Sequence, residues 1–371
     1  MLKLLEKIGF TPRIAVWELT LQCDLRCRHC GSRAGKARAD ELTLPEARRL
    51  CRELGELGCE HVTLSGGEPL LRKDWPFIAE TLVECGIAVG MISNGSVWSD
   101  EIARAARTIG FESMGFSLDG FEGAHDYQRR VSGHWHKALR AIDSAVEAGL
   151  TVTVVTTVNN QNLDELEALR NLLCEHGVVR WQVQFATPTG NLADHRGLLM
   201  DPKDVLRAVP LIASMCCDGR LPKVQAGHNV GYFGEPEERL RDEGVVVPYW
   251  TGCLAGLQVI GIESNGNIKG CLSLPSEKNG VDAFVEGNIR QSSLRDIWCK
   301  KDAFSYCRAF RVESLGGFCR TCEYNDICRG GCTWTCFSEQ GFVRDNPYCY
   351  WRQLQLQREE QAQAKRVGPP T

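Results

Sequence analysis

From residue 14 to about residue 215 the chain alternates short apolar, β-branched runs with longer stretches of helical period. The spacing predicts strands over 14–18, 61–65, 88–92, 113–117, 151–158 and 179–185, each bounded by turn-forming residues. The clearest helix between them begins at Thr43-Leu-Pro-Glu, a capping box with Thr43 as N-cap and Glu46 at the third helical position. Leu50, Leu54 and Leu57 follow on one face. Ser99 is placed to cap a second helix, and Asn162 or Asp164 a third. Six strand-then-helix units predict a parallel sheet with helices on its outer surface. Six are too few for the closed eightfold barrel. A doubly wound open sheet satisfies the same pattern, so periodicity leaves both open.

Nineteen cysteines among 371 residues change the picture. The opening Met-Leu-Lys-Leu-Leu-Glu-Lys-Ile lacks the apolar region and cleavage site of a signal peptide. No apolar run approaches the length of a membrane span. A cytoplasmic protein without a membrane partner is expected. In that reducing compartment, cysteines at fixed short spacings read as metal ligands rather than disulfides. Ten of the nineteen lie between Cys253 and Cys349, and that uneven usage marks a second domain. The expected division is a first domain over 13–225, a cysteine-rich domain with its bridging segment over 226–350, and a tail over 351–371. The tail reads as a solvated helix with a disordered Gly-Pro-Pro-Thr end. A net charge of −4 gives no electrostatic reason to expect nucleic acid.

Cys23, Cys27 and Cys30 stand in a C-x3-C-x2-C spacing. Three thiolates cannot saturate a cubane [4Fe–4S] cluster, which has four irons, so one iron is left for a non-protein ligand. Zinc ribbons and bacterial ferredoxins space their cysteines differently. Gly66-Gly67-Glu68-Pro69 follows the second strand at its carboxyl end, where α/β folds place ligand sites. Its two glycines let backbone approach a ligand without side-chain obstruction. Ser93-Asn94-Gly95 ends the third strand and Ser117-Leu118-Asp119-Gly120 the fourth. Their polar groups suit a ribose or carboxylate, and the same residues are ordinary turn formers. Asn159 and Gln184 are further candidate contacts, and His125-Asp126 with Arg129-Arg130 forms a polar cluster after the fourth strand. Later, Cys253 is followed by twelve residues, Gly266, four more residues and Cys271. Then come Cys319-x2-Cys322-x5-Cys328-x3-Cys332 and, after a gap, Cys349.

The first cysteine motif with its Gly-Gly-Glu-Pro partner resembles the radical S-adenosylmethionine (SAM) superfamily. The seven later cysteines resemble the SPASM motif of one of its subgroups. The two together span roughly residues 13–350. The resemblance implies an α/β fold: a partial (β/α)6 TIM-like barrel, open on one side, followed by a small cysteine-rich SPASM domain. It implies three [4Fe–4S] clusters, one binding SAM on Cys23, Cys27 and Cys30, and two auxiliary. SAM contacts carry over to Gly66, Gly67, Glu68 and Pro69 for the methionine amine, and to Asn94, Ser117 and Asp119 at the strand ends. Arg130 carries over for a SAM carboxylate or for helix positioning, and His29 for packing over the cluster or adenine. The first auxiliary cluster would take Cys253, Cys271 and Cys332, and the second Cys319, Cys322, Cys328 and Cys349. Two filled cubanes require eight thiolates, and this motif supplies seven. The first cluster is therefore open to substrate, the reading slightly favoured, or it borrows Cys336, Cys307 or Cys299. Cys336 is the nearest in sequence.

The activity implied is cleavage of SAM to a 5′-deoxyadenosyl radical and hydrogen abstraction from a peptide or protein substrate. The outcome would be an oxidative modification such as a thioether or carbon–carbon crosslink in a ribosomally made peptide. The Asp general base of sulfatase-maturing relatives is replaced by Leu272. With few residues before the first strand, leader recognition would fall to a separate protein or the barrel rim. A flavodoxin- or ferredoxin-type protein would supply the electron. Two alternatives are a radical SAM dehydrogenase or decarboxylase acting on a small molecule, such as an aminoglycoside or tetrapyrrole, and a non-catalytic iron–sulfur or zinc protein.

Overall fold

The structure, a computed structural model, describes residue 5 and residues 9–241, 248–278, 281–341 and 343–367. The six expected strands form as β1 (Ile14–Thr20), β2 (His61–Gly66), β3 (Ala88–Ser93), β4 (Ser113–Ser117), β5 (Val152–Val158) and β6 (Arg180–Phe185). They lie side by side in chain order, all parallel. Two parallel strands that periodicity did not reveal extend the sheet at either side. β7 (Lys223–Ala226) pairs with β6, and β8 (Val259–Ile262) pairs with β1, Ile14 facing Val259 and Trp17 facing Ile262. Antiparallel β9 (Asn267–Lys269) and β10 (Gly287–Asn288) continue beyond β8, so the ten-stranded sheet has β7 and β10 as its edges. Short apolar runs such as Val-Ile-Gly-Ile carry too few residues for their period to stand out.

Parallel crossovers require helices outside the sheet. These are α1 (Leu44–Glu56), α2 (Trp75–Glu84), α3 (Asp100–Ile109), α4 (Glu122–Arg129), α5 (His134–Glu147) and α6 (Leu166–Glu175). Leu50, Leu54, Ile78, Leu82, Ile142 and Leu169 pack with Leu64, Met91, Phe116 and Val154 in one core. Each such burial is worth about 1.5–3 kcal/mol. Strands β5 and β6 alternate between fully buried and half-buried positions. Val152, Val154, Val158, Trp181, Val183 and Phe185 pack into that core. The opposite face presents Thr153, Val155, Thr157, Gln182 and Gln184, a smaller and more polar lining.

The caps follow the sequence in two of three cases. Glu46 accepts from the Thr43 backbone N–H and hydroxyl, both at 2.8 Å, and the Ser99 hydroxyl accepts from Ile102 N at 3.4 Å. Neither Asn162 nor Asp164 caps α6, which begins at Leu166 after a 3-10 turn over Leu163–Glu165. The Asn162 amide is instead drawn to the strand ends, accepting from Asn159 N at 2.9 Å and donating to Asp119 O at 3.1 Å.

A buried charge network fastens β8 to β1. Glu18, only 3% exposed, accepts from Ser264 Oγ at 2.8 Å and from Arg38 Nη2 at 3.0 Å. The expected tail helix is α7 (Tyr350–Val367); the expected disordered end, residues 368–371, lies outside the described residues, as do residues 1–4 and 6–8 of the opening segment. Among the described residues no helix is long and apolar enough to cross a membrane.

Candidate functional site

β1 runs into a loop closed at its base by Gly35 N donating to Leu21 O at 2.9 Å and Cys23 N to Gly35 O at 3.1 Å. The loop carries Cys23, Cys27 and Cys30, and N–H groups point at their sulfurs. Leu25 N lies 3.4 Å from Cys23 Sγ, Ala34 N 3.4 Å from Cys30 Sγ, and Arg129 Nη1 3.9 Å from Cys27 Sγ. Burial pushes the Cys23 thiol up to about 12 and raises Cys27 as well. At Cys27 burial outweighs the nearby Arg129 guanidinium, and a coordinating metal removes such thiol protons outright. N–H donors to sulfur are also a means of tuning cluster ligands. Among the described residues no three Cys, His, Asp or Glu side chains converge on one point as a single metal ion requires. A cubane does not ask for that, since each iron takes one thiolate. The donor set fits three ligands of such a cluster.

The turn after β2 lies against this loop. Gly67 N donates to Thr20 O at 2.9 Å and Glu68 N to Gln22 O at 2.7 Å. A Cβ on Gly67 would sit 2.2 Å from Gln22 O, and one on Gly66 2.4 Å from Thr20 O. Their missing side chains make room for the cysteine loop itself. The β1–β2 register shifts between Glu18 and Thr20, a bulge that turns the chain into that loop. Pro69 opens a short buried 3-10 turn, Pro69–Leu71. Glu68 is fully buried and accepts from Ser93 Oγ at 2.9 Å, Asn94 N at 2.7 Å and Leu70 N at 3.2 Å. Burial pushes its carboxyl up to about 7 against those three donors. Asn94 donates to Asp24 Oδ1 at 2.9 Å and points toward Cys23 Sγ at 3.9 Å. Glu68 and Asn94 thus knit the ends of β1, β2 and β3 together.

At the end of β4, Ser117 is half-buried, and its hydroxyl has no hydrogen-bond partner among the described residues. Asp119 differs from its expected role as a ribose contact because both oxygens are engaged. Oδ2 takes Arg129 Nη2 at 2.6 Å, Arg129 Nε at 2.9 Å and His29 Nε2 at 3.2 Å, and Oδ1 takes Thr157 N at 2.9 Å. Burial opposes its charge, yet Arg129 and His29 hold the carboxyl well below the usual range. His29, expected over the cluster or adenine, is turned to Asp119. Arg130 is a second correction: it caps α4 in the left-handed region (φ 61°) and is exposed, while its neighbour Arg129 is buried between Asp119 and Cys27. Helical spacing carried that signal, since His125, Gln128 and Arg129 share one buried face and Arg130 falls past the helix end.

A stacked histidine pair, missed in the sequence, connects two of these turns. His125 Nε2 lies 2.8 Å from His134 Nδ1, and His134 Nε2 lies 3.0 Å from Ser96 Oγ. Asp119 N donates to His125 Nδ1 at 3.1 Å, which makes Nε2–H the donor on each ring in turn. Burial pushes His125 down to about 2 and His134 to about 4, so both are neutral. Asn159 is buried against Gln128 at 2.7 Å, and Gln184 lies 3.4 Å from Thr157 Oγ1.

The later cysteines form two groups. Cys319, Cys322, Cys328 and Cys349 line one pocket, walled by Tyr232, Phe233, Tyr324 and Trp351. Asn346 N lies 3.5 Å from Cys319 Sγ and Arg352 N 3.5 Å from Cys349 Sγ. Burial pushes these two thiols up to about 11 and about 12. Cys253 and Cys271 pack in a second cluster with Ala255 and Leu257. Cys253 also packs against Tyr232 and Trp250 beside Cys332, whose N–H donates to the Tyr232 hydroxyl at 3.0 Å. Four thiols lining one aromatic-walled pocket fit a cubane, and the second group supplies a thiol-rich neighbour to it.

A profile of the radical SAM superfamily matches residues 17–173, and one described as an iron–sulfur cluster-binding domain matches residues 253–323. An AdoMet-dependent heme synthase from Methanosarcina barkeri is 31% identical over 355 residues, 92% of this chain and 97% of that protein. A pre-heme d1 synthase from Dinoroseobacter shibae is 25% identical, covering 86% of this chain and 81% of its own length. The crystal structure of Streptococcus suis SuiB bound to S-adenosylmethionine has the same fold, with a TM-score of 0.72 at 18% identity over 93% of this chain and 79% of SuiB. These sequence relatives overturn the expectation of a peptide substrate. Both of these proteins, alignable over most of their length, are named for making heme compounds, which are small molecules.

Proposed function

Since this chain belongs to the radical SAM superfamily, in its SPASM subgroup, we propose that it is a SAM-dependent enzyme acting on a small molecule of the tetrapyrrole class. The observation that carries this reading is the near full-length similarity to an AdoMet-dependent heme synthase. Cys23, Cys27 and Cys30 hold the SAM-binding cluster, Cys253, Cys271 and Cys332 the first auxiliary cluster, and Cys319, Cys322, Cys328 and Cys349 the second. When bound, SAM on its reduced cluster supplies a carbon radical able to remove hydrogen from an unactivated C–H bond. The chain's own groups bind and orient. The uncommitted Ser117 hydroxyl and the turn around Asn94 meet SAM, while Asp119 and Arg129 fix the segment that carries Cys27 and His29. Glu68 positions the turns after β2 and β3 against each other. Thr153, Thr157, Gln182 and Gln184 line the face left free of helices, where a flat polar-edged substrate finds hydrogen-bond partners. A flavodoxin- or ferredoxin-type protein would supply the electron.

The test uses anaerobically reconstituted protein with iron-loaded coproporphyrin as probe. Binding should shift the porphyrin's visible absorption, and SAM with reductant should yield 5′-deoxyadenosine together with a changed porphyrin mass. Iron should reach about twelve atoms per chain, and replacing Cys23, Cys27 and Cys30 by Ala should remove about four of them. SAM cleavage that no porphyrin binds to or alters would overturn the substrate class. Stoichiometric zinc in place of iron would overturn the whole reading.

A further inference from the structure

The seven motif cysteines leave one of the eight places on two auxiliary cubanes unfilled, and the structure sorts the three cysteines available to fill it. Cys299 is exposed at the end of the helix Leu294–Cys299. Cys336 is buried in the helix Thr333–Gln340, but its thiol is directed to Gly330 O at 2.9 Å. Cys307 is buried in the same cluster against which Cys253 and Cys271 pack. Its sulfur also lies 3.8 Å from Thr333 Oγ1, and Thr333 directly follows Cys332. We propose that Cys307 is the fourth protein ligand of the first auxiliary cluster, with Cys253, Cys271 and Cys332. This rests on the reading above that the chain carries auxiliary clusters.

The local chain is shaped to deliver that thiol. Cys307 sits on a one-turn helix, Ser305–Arg308, entered through Phe304 in the left-handed region (φ 54°). Left-handed backbone is unfavourable for a residue with a Cβ and persists where its surroundings over-determine it. Phe304 is fully buried, and a Cβ on Gly256 would meet it at 2.2 Å, so the turn after Cys253 and the turn before Cys307 interlock. Arg344, 7% exposed, approaches Cys307 Sγ at 3.9 Å and donates to Thr333 Oγ1 at 3.1 Å and Tyr306 O at 2.5 Å. Cys253 and Cys307 are therefore held as neighbours by packing and by the interlock of the two turns that carry them. With Cys307 in place every iron of this cluster has a cysteinyl neighbour, and no iron remains for a substrate atom. The cluster's part is then electron transfer.

The experiment uses the full chain with Cys23, Cys27 and Cys30 replaced by Ala, so that only auxiliary clusters remain. Reduced, this protein should hold about eight irons, and its low-temperature EPR spectrum should not respond to added imidazole or 2-mercaptoethanol. Adding Cys307→Ala should make one of the two signals respond to those ligands, and mild oxidation should convert that cluster to the [3Fe–4S] form. Cys336→Ala should reproduce the parent. A parent spectrum that already shifts with added thiol would overturn the proposal, with no need for the Cys307 variant to fold. So would a Cys336→Ala spectrum that behaves as predicted for Cys307→Ala, or a Cys253–Cys307 disulfide in anaerobic protein. Absence of auxiliary iron altogether would instead overturn the reading beneath it.

Discussion

Gly67→Ala tests whether the Gly-Gly-Glu-Pro turn is shaped for the cysteine loop. The added methyl would lie 2.2 Å from Gln22 O, 2.7 Å from Gln22 C and 2.8 Å from Leu21 O, all backbone atoms that cannot swing away as a side-chain tip would. Gln22 must retreat by roughly 1 Å, an overpacking that costs about 1–3 kcal/mol. The retreat also strains the bonds from Gly67 N to Thr20 O and from Glu68 N to Gln22 O, each worth about 1 kcal/mol. The sum, about 3–5 kcal/mol, falls on the peptide that precedes Cys23. The variant should fold with a lowered melting temperature and take up about eight irons rather than about twelve, losing those of the first cluster. SAM binding, followed by equilibrium dialysis, should fall with them. Gly123→Ala is the control, because a Cβ there on helix α4 meets nothing within 4 Å. Full iron loading with SAM binding alone abolished would refute the reasoning and return Gly67 to a ligand-facing role.

Three further outcomes follow from the buried charges. Glu68, pushed up to about 7 by burial, keeps a proton in the folded chain that the unfolded chain releases near pH 4.3. Stability should therefore decline by about 3 kcal/mol as pH rises from roughly 4 to 8, and Glu68→Gln should flatten that slope in denaturant titrations. Arg129→Ala strands Asp119 without its cation and should cost about 3–5 kcal/mol; Arg130→Ala should stay within about 0.5 kcal/mol, and equal losses in thermal melts would contradict the placement of the two arginines. Glu18→Ala removes the shared acceptor of Arg38 and Ser264 and should cost about 3–5 kcal/mol by the same logic, whereas Glu60→Ala, at the exposed pair with Arg13, should cost at most about 1 kcal/mol.

The strands β1 to β6 were legible because each apolar run is bounded by turn residues, and period two survives in β5 and β6 where one face packs under helices. Cysteine spacing identified the family, because ligand geometry is recorded in intervals along the chain. Roles within the site were less legible. Asp119 and Arg130 stand where the family pattern puts them, yet whether a carboxylate is free or already spent on Arg129 depends on contacts between β4, α4 and the cysteine loop. His134 and Ser96 meet His125 only through the fold. Cys307 belongs to no regular interval, and the packing and the interlock of Phe304 with Gly256 that bring it to Cys253 exist only in the fold. The substrate class was misjudged because cysteine motifs report the clusters, which peptide and small-molecule enzymes share.

The pairing of β1 with β8 bears on how the protein is made. Ile14 leaves the ribosome long before Val259, its neighbour in the sheet. Until then β1 is a bare edge, and an apolar strand such as Val16-Trp17-Glu18-Leu19 invites intermolecular pairing. Contacts between segments so distant in sequence form slowly. The loop of Cys23, Cys27 and Cys30 issues from that same strand, and the hydrogen bonds of Arg38 and Leu42 to Ser264 that brace the chain beyond it also wait for the late segment. The cysteine loop therefore has its full scaffold only once the chain has been made past Ser264. A fragment ending before β8 should emerge as an aggregating, iron-poor product, whatever the supply of cluster-assembly proteins.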